Sequence, residues 1–364
     1  MPLLPLAGHL EARARLSEAV RSDRLPQTLL LTGEPGVGKQ RLGLWLAQLL
    51  VCQAKAVEPC GSCPPCRKVL GLGHADVHWF VPIPRPKASD PDKAVDEAAE
   101  SLGEVMAERR ETGLWTVPDG MSSHGVAVAR LILRQAGLTA AEGGAKVFLI
   151  GDAERLVPQE SSPEAANALL KVIEEPPRAT TFILTASDPT RLLPTIRSRA
   201  VVLRLGRLSA DETRGFLGAH LSPALKGAAL EDKVRAAGGS IGAALMDDGA
   251  LAKARTAAVS LLEAVLTGKG QALERAMKQA PWQARGDFST MLDAMAETLS
   301  GAARTRIEKG GPVKIGAARL VAEPEPLALA VTRIQEAREI ARGNVNPQVL
   351  MAVLAGDLEE LLCA

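Results

Sequence analysis

Residues 28–51 read TLLLTGEPGVGKQRLGLWLAQLLV. This stretch begins with a short apolar run, which predicts a strand. A glycine-rich turn follows and predicts a loop, and the apolar residues after it have helical spacing, which predicts a helix. Gly33, Gly36 and Gly38 allow the backbone to curl around an anion, and Lys39 adds a positive charge. This is the architecture of a phosphate-binding loop at the start of a helix.

Gln40 departs from the usual form of this loop. The full pattern G-x4-G-K-[ST] ends in a hydroxyl residue that binds magnesium, and the amide of Gln40 is a poorer ligand. A glycine turn that holds no nucleotide is the alternative interpretation. The loop sequence therefore predicts the architecture, leaves nucleotide binding open and argues against metal-assisted hydrolysis.

Four cysteines follow the loop within fifteen residues, with the spacing C-x7-C-x2-C-x2-C. They are Cys52, Cys60, Cys63 and Cys66. In a chain without a visible secretory signal, such a cluster favours a metal over disulfides, and four thiolates close the shell of one structural zinc ion. A redox pair at Cys63 and Cys66, or a module that has lost its metal, are the alternatives. Cys363 stands apart.

The rest of the first half alternates apolar runs with helical patterns, which predicts a parallel, doubly wound sheet. Further strands are expected at 146–150, 181–185 and 200–205, and helices at 126–134 and 163–175. Residues 82–91 contain four prolines and residues 92–125 are polar and charged, so 82–125 is predicted to be an insertion or a mobile loop. Helical patterns alone are expected from 209 to 364, beginning with a capping box at Ser209 and Glu212.

Charge and composition exclude several classes of function. The 364 residues carry 43 Lys and Arg against 42 Asp and Glu, so no overall basic field holds the chain on nucleic acid. Tyrosine is absent and aromatic residues make up 2%, which argues against stacking platforms for single strands. No stretch approaches the roughly 20 apolar residues that span a membrane, and no signal peptide is visible. A cytoplasmic location is therefore expected.

Two further sites have an ambiguous sequence. An ATPase places Asp and then Glu at the end of the strand after its phosphate loop, whereas here Gly151 and Asp152 stand at these positions. A surface turn is the favoured interpretation. Arg199, after Ser198, could reach a neighbour's phosphate from a domain rim, although the residues alone indicate a solvated arginine.

The run NALLKVIEEPP at 167–177 resembles a signature of bacterial clamp-loader subunits, and LLPTIRSR at 192–199 continues it. The beginning of the chain, the cysteine module and Asn344-Val345-Asn346-Pro347 are also similar to that family. The resemblance is to the delta-prime type of DNA polymerase III clamp-loader subunit rather than to the ATP-hydrolysing tau/gamma type. It implies an AAA+ P-loop domain at 1–206, with a zinc module at 52–66. A small helical lid at 207–252 and an all-α collar at 253–364 follow.

The departures from the motor pattern determine which role the resemblance implies. Three residues that the motor subunit needs are altered in this chain, at Gln40, Gly151 and Gly242, whereas the arginine at position 199 is kept. In the family, this arginine acts in trans on ATP bound to the adjacent motor subunit. The resemblance therefore implies a subunit of the polymerase holoenzyme that has no ATPase or polymerase activity of its own.

The partners implied by the resemblance are the tau/gamma and delta subunits in a hetero-pentamer, the sliding clamp, and primed DNA through the assembled complex. Three alternatives remain. An ATP-hydrolysing tau/gamma-type motor would be recognised by turnover in the isolated chain. The long helical tail opposes a zinc-containing P-loop phosphotransferase, and the near-neutral charge opposes a zinc-dependent DNA-binding module.

Overall fold

The apolar run before the phosphate loop is a fully buried strand, β1 (Thr28–Thr32). It belongs to a parallel sheet with β2 (Val77–Phe80), β3 (Lys146–Ile150), β4 (Thr180–Ala186) and β5 (Val201–Arg204). The strand order is β2-β3-β4-β1-β5. β1 and β4 lie in the middle of the sheet, so the loop after β1 opens beside the carboxyl ends of both neighbours. This arrangement confirms the predicted α/β class with a parallel sheet.

The computed structural model describes residues 3–113, 122–142, 144–156, 164–221, 225–245, 248–268, 270–277, 287–341 and 345–363. The chain divides into two compact units, Met1–Leu245 and Met246–Ala364. The predicted division at residues 206 and 252 into three domains stays a prediction. Within the described ranges, no helix combines the length and the apolar character needed to cross a bilayer.

The helices of the first unit alternate with the strands of the sheet, and the last three of them follow β5 and share a separate apolar cluster. The helices are α1 (Leu10–Arg21), α2 (Lys39–Val51), α3 (Pro64–Leu70), α4 (Pro91–Thr112), α5 (Val126–Ala136), α6 (Glu164–Glu174), α7 (Pro194–Arg197), α8 (Ala210–His220), α9 (Ala228–Ala237) and α10 (Ile241–Leu245). The capping box at the start of α8 is present as predicted, with Ser209 and Glu212 bonded to each other's backbone N–H groups. The helices α5 and α6 confirm the two patterns predicted at 126–134 and 163–175.

The sequence interpretation missed two elements of this unit. β2 was not predicted, and it pairs with β3 at one edge of the sheet. The charged stretch predicted to be an insertion or a mobile loop instead contains α4, a helix of 22 residues. Asp90 caps its first turn by accepting hydrogen bonds from two backbone N–H groups, and Gly113 ends it in the left-handed conformation.

The second unit is helical around its own apolar core. Its helices are α11 (Asp248–Thr267), α12 (Gln271–Met277), α13 (Asp287–Lys309), α14 (Pro324–Ala341) and α15 (Pro347–Cys363). The prediction that 209–364 is helical throughout was wrong at one point, because β6 (Val313–Ile315) and β7 (Ala318–Leu320) form an antiparallel hairpin. Gly316 turns this hairpin with a φ of 59°, a conformation that glycine adopts without strain.

Candidate functional site

The loop between β1 and α2 has the backbone shape that its glycines predict. Gly33, Gly36 and Gly38 have φ values of 150°, 76° and 104°, and α2 begins at Lys39. A Cβ on Gly33 would lie 2.5 Å from the carbonyl oxygen of Leu205, so the loop also passes close to the chain that follows β5. The result is a loop at a helix N-terminus, the arrangement that suits an anion.

The ammonium group of Lys39 is already engaged inside the protein. Its Nζ donates to the carbonyl oxygens of Gly33 and Glu34, both at 2.8 Å, and to Ser187 Oγ at 2.9 Å. These three bonds use the three donors of a lysine. The residue is 5% exposed, and burial lowers the pKa of Lys39 below its usual value. A phosphate would therefore compete with three existing hydrogen bonds for this cation.

The segment around α10 lies directly on the loop. The backbone N–H of Gly242 donates to the Gly36 carbonyl at 2.8 Å, and Ser240 Oγ donates to the Pro35 carbonyl at 3.1 Å. A Cβ on Gly242 would lie 2.5 Å from Gly36 Cα, so the backbones meet without a side chain between them. Gly242 thus stands where the resemblance expects an arginine in a motor subunit, and it makes a contact that no larger residue could make.

Gln40 and Gly151 fit each other. A Cβ on Gly151 would lie 2.6 Å from Gln40 Oε1, so the amide fills the space beside the strand end. Gln40 Nε2 donates to Asp152 Oδ2 at 3.2 Å, and Trp79 Nε1 donates to Gln40 Oε1 at 3.0 Å. The turn at 151–152 is therefore not the surface turn favoured by the sequence, because Gly151 is buried and Asp152 is partly buried.

Two carboxyl groups lie behind this contact. Glu154 Oε1 accepts from the Ser187 backbone N–H at 2.9 Å. Burial raises the pKa of both Asp152 and Glu154 above their usual values, and the charge of Asp152 adds to the rise at Glu154. Neither residue stands at the first position after β3, where an ATPase holds its magnesium carboxylate. The site has buried acids without the usual pair of metal ligands.

Arg109 belongs to this neighbourhood, although nothing in the sequence marks it. It is 2% exposed, and its Cζ lies 4.0 Å from the ring centroid of Trp79. Its sequence context, Glu108 to Glu111, is typical of a solvated helical face, so a charge pattern alone could not identify it. The position of α4 places this guanidinium on the indole of Trp79, which in turn bonds to Gln40.

Arg199 lies just after α7, on the surface of the first unit. Its Nε pairs with Glu174 Oε2 at 2.9 Å, and its Nη1 donates to the Thr195 carbonyl at 3.0 Å. The side chain is 31% exposed. Val201 and Val202 follow on the edge strand β5, and both are more than half exposed. The arginine is therefore held by its own chain while its surroundings stay open to solvent.

The four clustered cysteines come together in space. Their sulfur atoms lie within 4.8 Å of one another, and four sulfur ligands of one zinc ion stand ~3.8 Å apart at ordinary bond lengths. Cys52 and Cys66 are buried, whereas Cys60 is exposed. The Cys60 N–H approaches Cys52 Sγ at 3.4 Å, and the Cys63 N–H approaches Cys60 Sγ at 3.3 Å. The set fits a metal ion held by sulfur.

The electrostatics of the cluster differ from one thiol to the next. Hydrogen bonds from the backbone of Cys63 and Ser62 lower the pKa of Cys60 to about 6, which favours the thiolate that binds metals. Burial raises the pKa of Cys66. The module is attached to α1, because Ser17 Oγ donates to the Val57 carbonyl and Arg13 pairs with Glu58.

Known proteins resemble this chain along much of its length. The DNA polymerase III subunit delta′ of Yersinia pestis is 34% identical over 172 residues, which cover 47% of this chain and 39% of that protein. The subunit delta′ of Escherichia coli is 29% identical over 304 residues, or 82% of this chain and 78% of that protein. The subunit tau of Salmonella typhimurium is 27% identical over 350 residues, which cover 90% of this chain and 47% of that protein. The chain thus matches less than half the length of two of these relatives.

Solved structures with a related description also resemble this chain. The crystal structure of a DNA polymerase III, gamma subunit-related protein from Thermotoga maritima has a TM-score of 0.40 and 16% identity, covering 95% of this chain and 98% of that chain. A family model described as DNA polymerase III, delta subunit matches residues 8–209, which are more than half of the 364 residues. The chain therefore belongs to the DNA polymerase III delta subunit family and resembles its delta′ members.

Proposed function

We propose that this chain is a delta′-type subunit of a clamp loader, and that it completes the ATPase site of a neighbouring subunit instead of hydrolysing ATP itself. Its partners would be tau/gamma and delta subunits in a hetero-pentamer that places a sliding clamp on primed DNA. In this assignment 1–206 is the AAA+ domain, 207–252 the lid and 253–364 the collar that holds the subunits together.

The contrast between the phosphate loop and Arg199 is the observation that supports this function. Lys39 is bonded to its own loop and to Ser187, and residues 40 and 151 lack the groups that hold magnesium. Arg199 is partly exposed, and one carboxylate orients it. A guanidinium presents a planar fork that matches a phosphate, so it suits a role on another subunit's nucleotide.

The same proposal includes two ligands of this chain. A structural zinc ion would be bound by the four cysteines, because thiolates are ligands that zinc prefers and a closed four-sulfur shell leaves no place for water. A nucleotide at Gly33, Gly36, Gly38, Lys39 and Gln40 would bind without turnover. Plasma emission analysis of freshly purified protein tests the first ligand, and a zinc content near zero with four reduced thiols would contradict it.

The decisive experiment compares variants in a loader that is reconstituted with all of its subunits. Arg199→Ala should leave assembly intact and lower the clamp- and DNA-stimulated ATPase rate by roughly tenfold. That is less than the 10³–10⁵ of single-site systems, because other sites keep their own arginines. Arg199→Lys should restore little, since lysine lacks the planar fork. Arg130→Ala, an exposed arginine on α5, serves as the matched control.

Lys39→Ala distinguishes the proposed role from that of a motor subunit. In a motor it would abolish this subunit's turnover, whereas here it should leave the stimulated rate of the complex nearly unchanged. Hydrolysis by the isolated chain that Lys39→Ala abolishes would establish the motor function instead. Unchanged loading kinetics in the Arg199→Ala complex would return that residue to the class of solvated arginines.

A further inference from the structure

A connected chain of polar contacts runs from α4 to the end of β3. The guanidinium of Arg109 lies on the indole of Trp79, whose Nε1 donates to Gln40 Oε1 at 3.0 Å. Gln40 Nε2 in turn donates to Asp152 Oδ2 at 3.2 Å. The chain of contacts thus joins a cation, an aromatic ring, an amide and a carboxylate beside the phosphate loop. The low dielectric constant of the protein interior strengthens each of these interactions.

The charges at the two ends of this chain act on each other. Burial raises the pKa of Asp152, while Arg155, Lys39 and Arg109 act in the opposite direction. Burial lowers the pKa of Arg109, and the carboxylate of Asp152 opposes that change. A buried charge is costly unless an opposite charge compensates it. Arg109 and Asp152 therefore stabilise one another's ionised forms.

The position of this chain is where a metal-dependent loop would bind its ion. In such a loop the hydroxyl of residue 40 and an acid at the strand end hold a divalent cation. Here Gln40 takes the space that a Cβ at Gly151 would need, 2.6 Å from the amide oxygen. In addition to Lys39 and Arg155, this neighbourhood takes positive charge from Arg109 on α4, the helix in the stretch that the sequence predicted to be an insertion or a loop.

We propose that Arg109 is a resident cation of the phosphate-loop site: it supplies the positive charge that a divalent ion would supply, and it keeps magnesium out. The helix α4 is then a part of the site. This assignment goes beyond the role of Arg199, because it concerns only this chain and needs neither a partner nor a bound nucleotide.

Native-state hydrogen exchange in a double-mutant cycle tests the charge coupling, with amides at 100–112 as the local reporter. Arg109→Met should speed the exchange of these amides by roughly tenfold in the wild-type background, because it removes one of the cations that offset the buried charge of Asp152. In the Asp152→Asn background the same substitution should have a much smaller effect. Arg109→Lys should keep most of the protection. The exposed Arg130→Met on α5 is the matched control and should change neither rate.

An equal effect of Arg109→Met in both backgrounds would overturn the proposal, because Arg109 would then act by packing alone. If Arg109→Met does not fold, Arg109→Gln replaces it in both backgrounds, because glutamine removes the charge and keeps a polar side chain of similar length.

Metal binding gives a second, independent readout. Gln40→Thr with Gly151→Asp restores the ligand pattern and also removes the amide that would collide with the new side chain. Manganese bound to the nucleotide-free protein is then measured by electron paramagnetic resonance, with and without Arg109→Met. Manganese should bind only when Arg109 is replaced. Binding with Arg109 retained, or no binding in either protein, would contradict the claim that this arginine keeps the metal out.

Discussion

Gly242 joins two parts of the first unit through its lack of a side chain. Its N–H donates to the Gly36 carbonyl, and an added Cβ would lie 2.5 Å from Gly36 Cα. Gly215, in the middle of α8, has nothing within 4 Å of the same added atom. The two glycines therefore differ in contact, although both lie in helices.

Gly242→Ala should destabilise the contact between α10 and the loop by ~1–3 kcal/mol, because a methyl group must push two backbones apart. Gly215→Ala should be neutral or stabilise its helix by up to ~1 kcal/mol. Hydrogen exchange of the amides at 239–245 and at 210–220 measures the two effects. Similar exchange at 239–245 in both variants would show that the close approach of the backbones is unimportant.

The buried side chains of His124 and His78 should make the stability of the first unit sensitive to acid. His124 Nε2 lies 2.6 Å from the Gly151 carbonyl oxygen, and burial lowers the pKa of His124 and of His78 to about 4. In the unfolded chain a histidine takes up its proton near pH 6.5, so the unfolded state gains protons first as the pH falls. The free energy of unfolding should fall from pH 6.5 to 4 by up to ~3 kcal/mol per histidine.

Thermal unfolding between pH 4.5 and 7.5 measures this dependence. His124→Gln keeps a side-chain donor of similar reach but has no titrating ring, so its stability should depend less on pH than that of the wild type. The same loss of stability on acidification in both proteins would contradict the assignment of this dependence to His124.

The helices and strands that were predicted correctly are those whose signals lie within one short stretch of sequence. β1, its loop and α2 follow from an apolar run, glycines and helical periodicity, all within 28–51. β2 was missed because its residues, Val77 to Phe80, form no long apolar run and it lies at the sheet edge. α4 was missed because the prolines before it and its many charged residues indicate a loop. Asp90 before Pro91 is nevertheless a typical helix start.

The same distinction between local and distant signals holds for the residues of the candidate site. Contiguous groups, the glycines with Lys39 and the four cysteines, could be found from their spacing alone. The contact of Gly242 with Gly36 and the place of Arg109 depend on how distant elements pack, and no periodicity encodes that packing. The hairpin β6-β7 was missed for a simpler reason, since each of its strands has only three residues.

The cysteine module should respond to chelation as a separate element. Removing a bound metal should speed hydrogen exchange at 52–70, because the ion no longer links the four sulfur atoms, and should leave β3 protected. Exchange is measured before and after treatment with a chelator under reducing conditions. Cys63→Ser should lower the metal content, whereas Cys363→Ser, in the second unit, should not. Unchanged exchange at 52–70 after complete metal loss would contradict a structural role.

For the whole molecule, the balance of charge predicts weak binding to DNA by the isolated chain. Opposite charges nearly cancel, 43 against 42, so few counterions are released when the chain meets a phosphate backbone. Fluorescence anisotropy with a primed duplex should show weak affinity and a shallow dependence on salt. Tight binding with a steep salt dependence would indicate that this chain holds DNA by itself.

The fit between Gln40 and Gly151 also limits how this protein can change by mutation. Gly151→Asp alone places a new side chain against the amide, 2.6 Å from its oxygen, and Gln40→Thr alone leaves Trp79 and Asp152 without their shared partner. Each single substitution is therefore expected to be unfavourable by itself, and the clash at Gly151 is relieved only when residue 40 changes as well. We expect this non-additivity between positions 40 and 151 to oppose a stepwise change of the loop toward a metal-binding form.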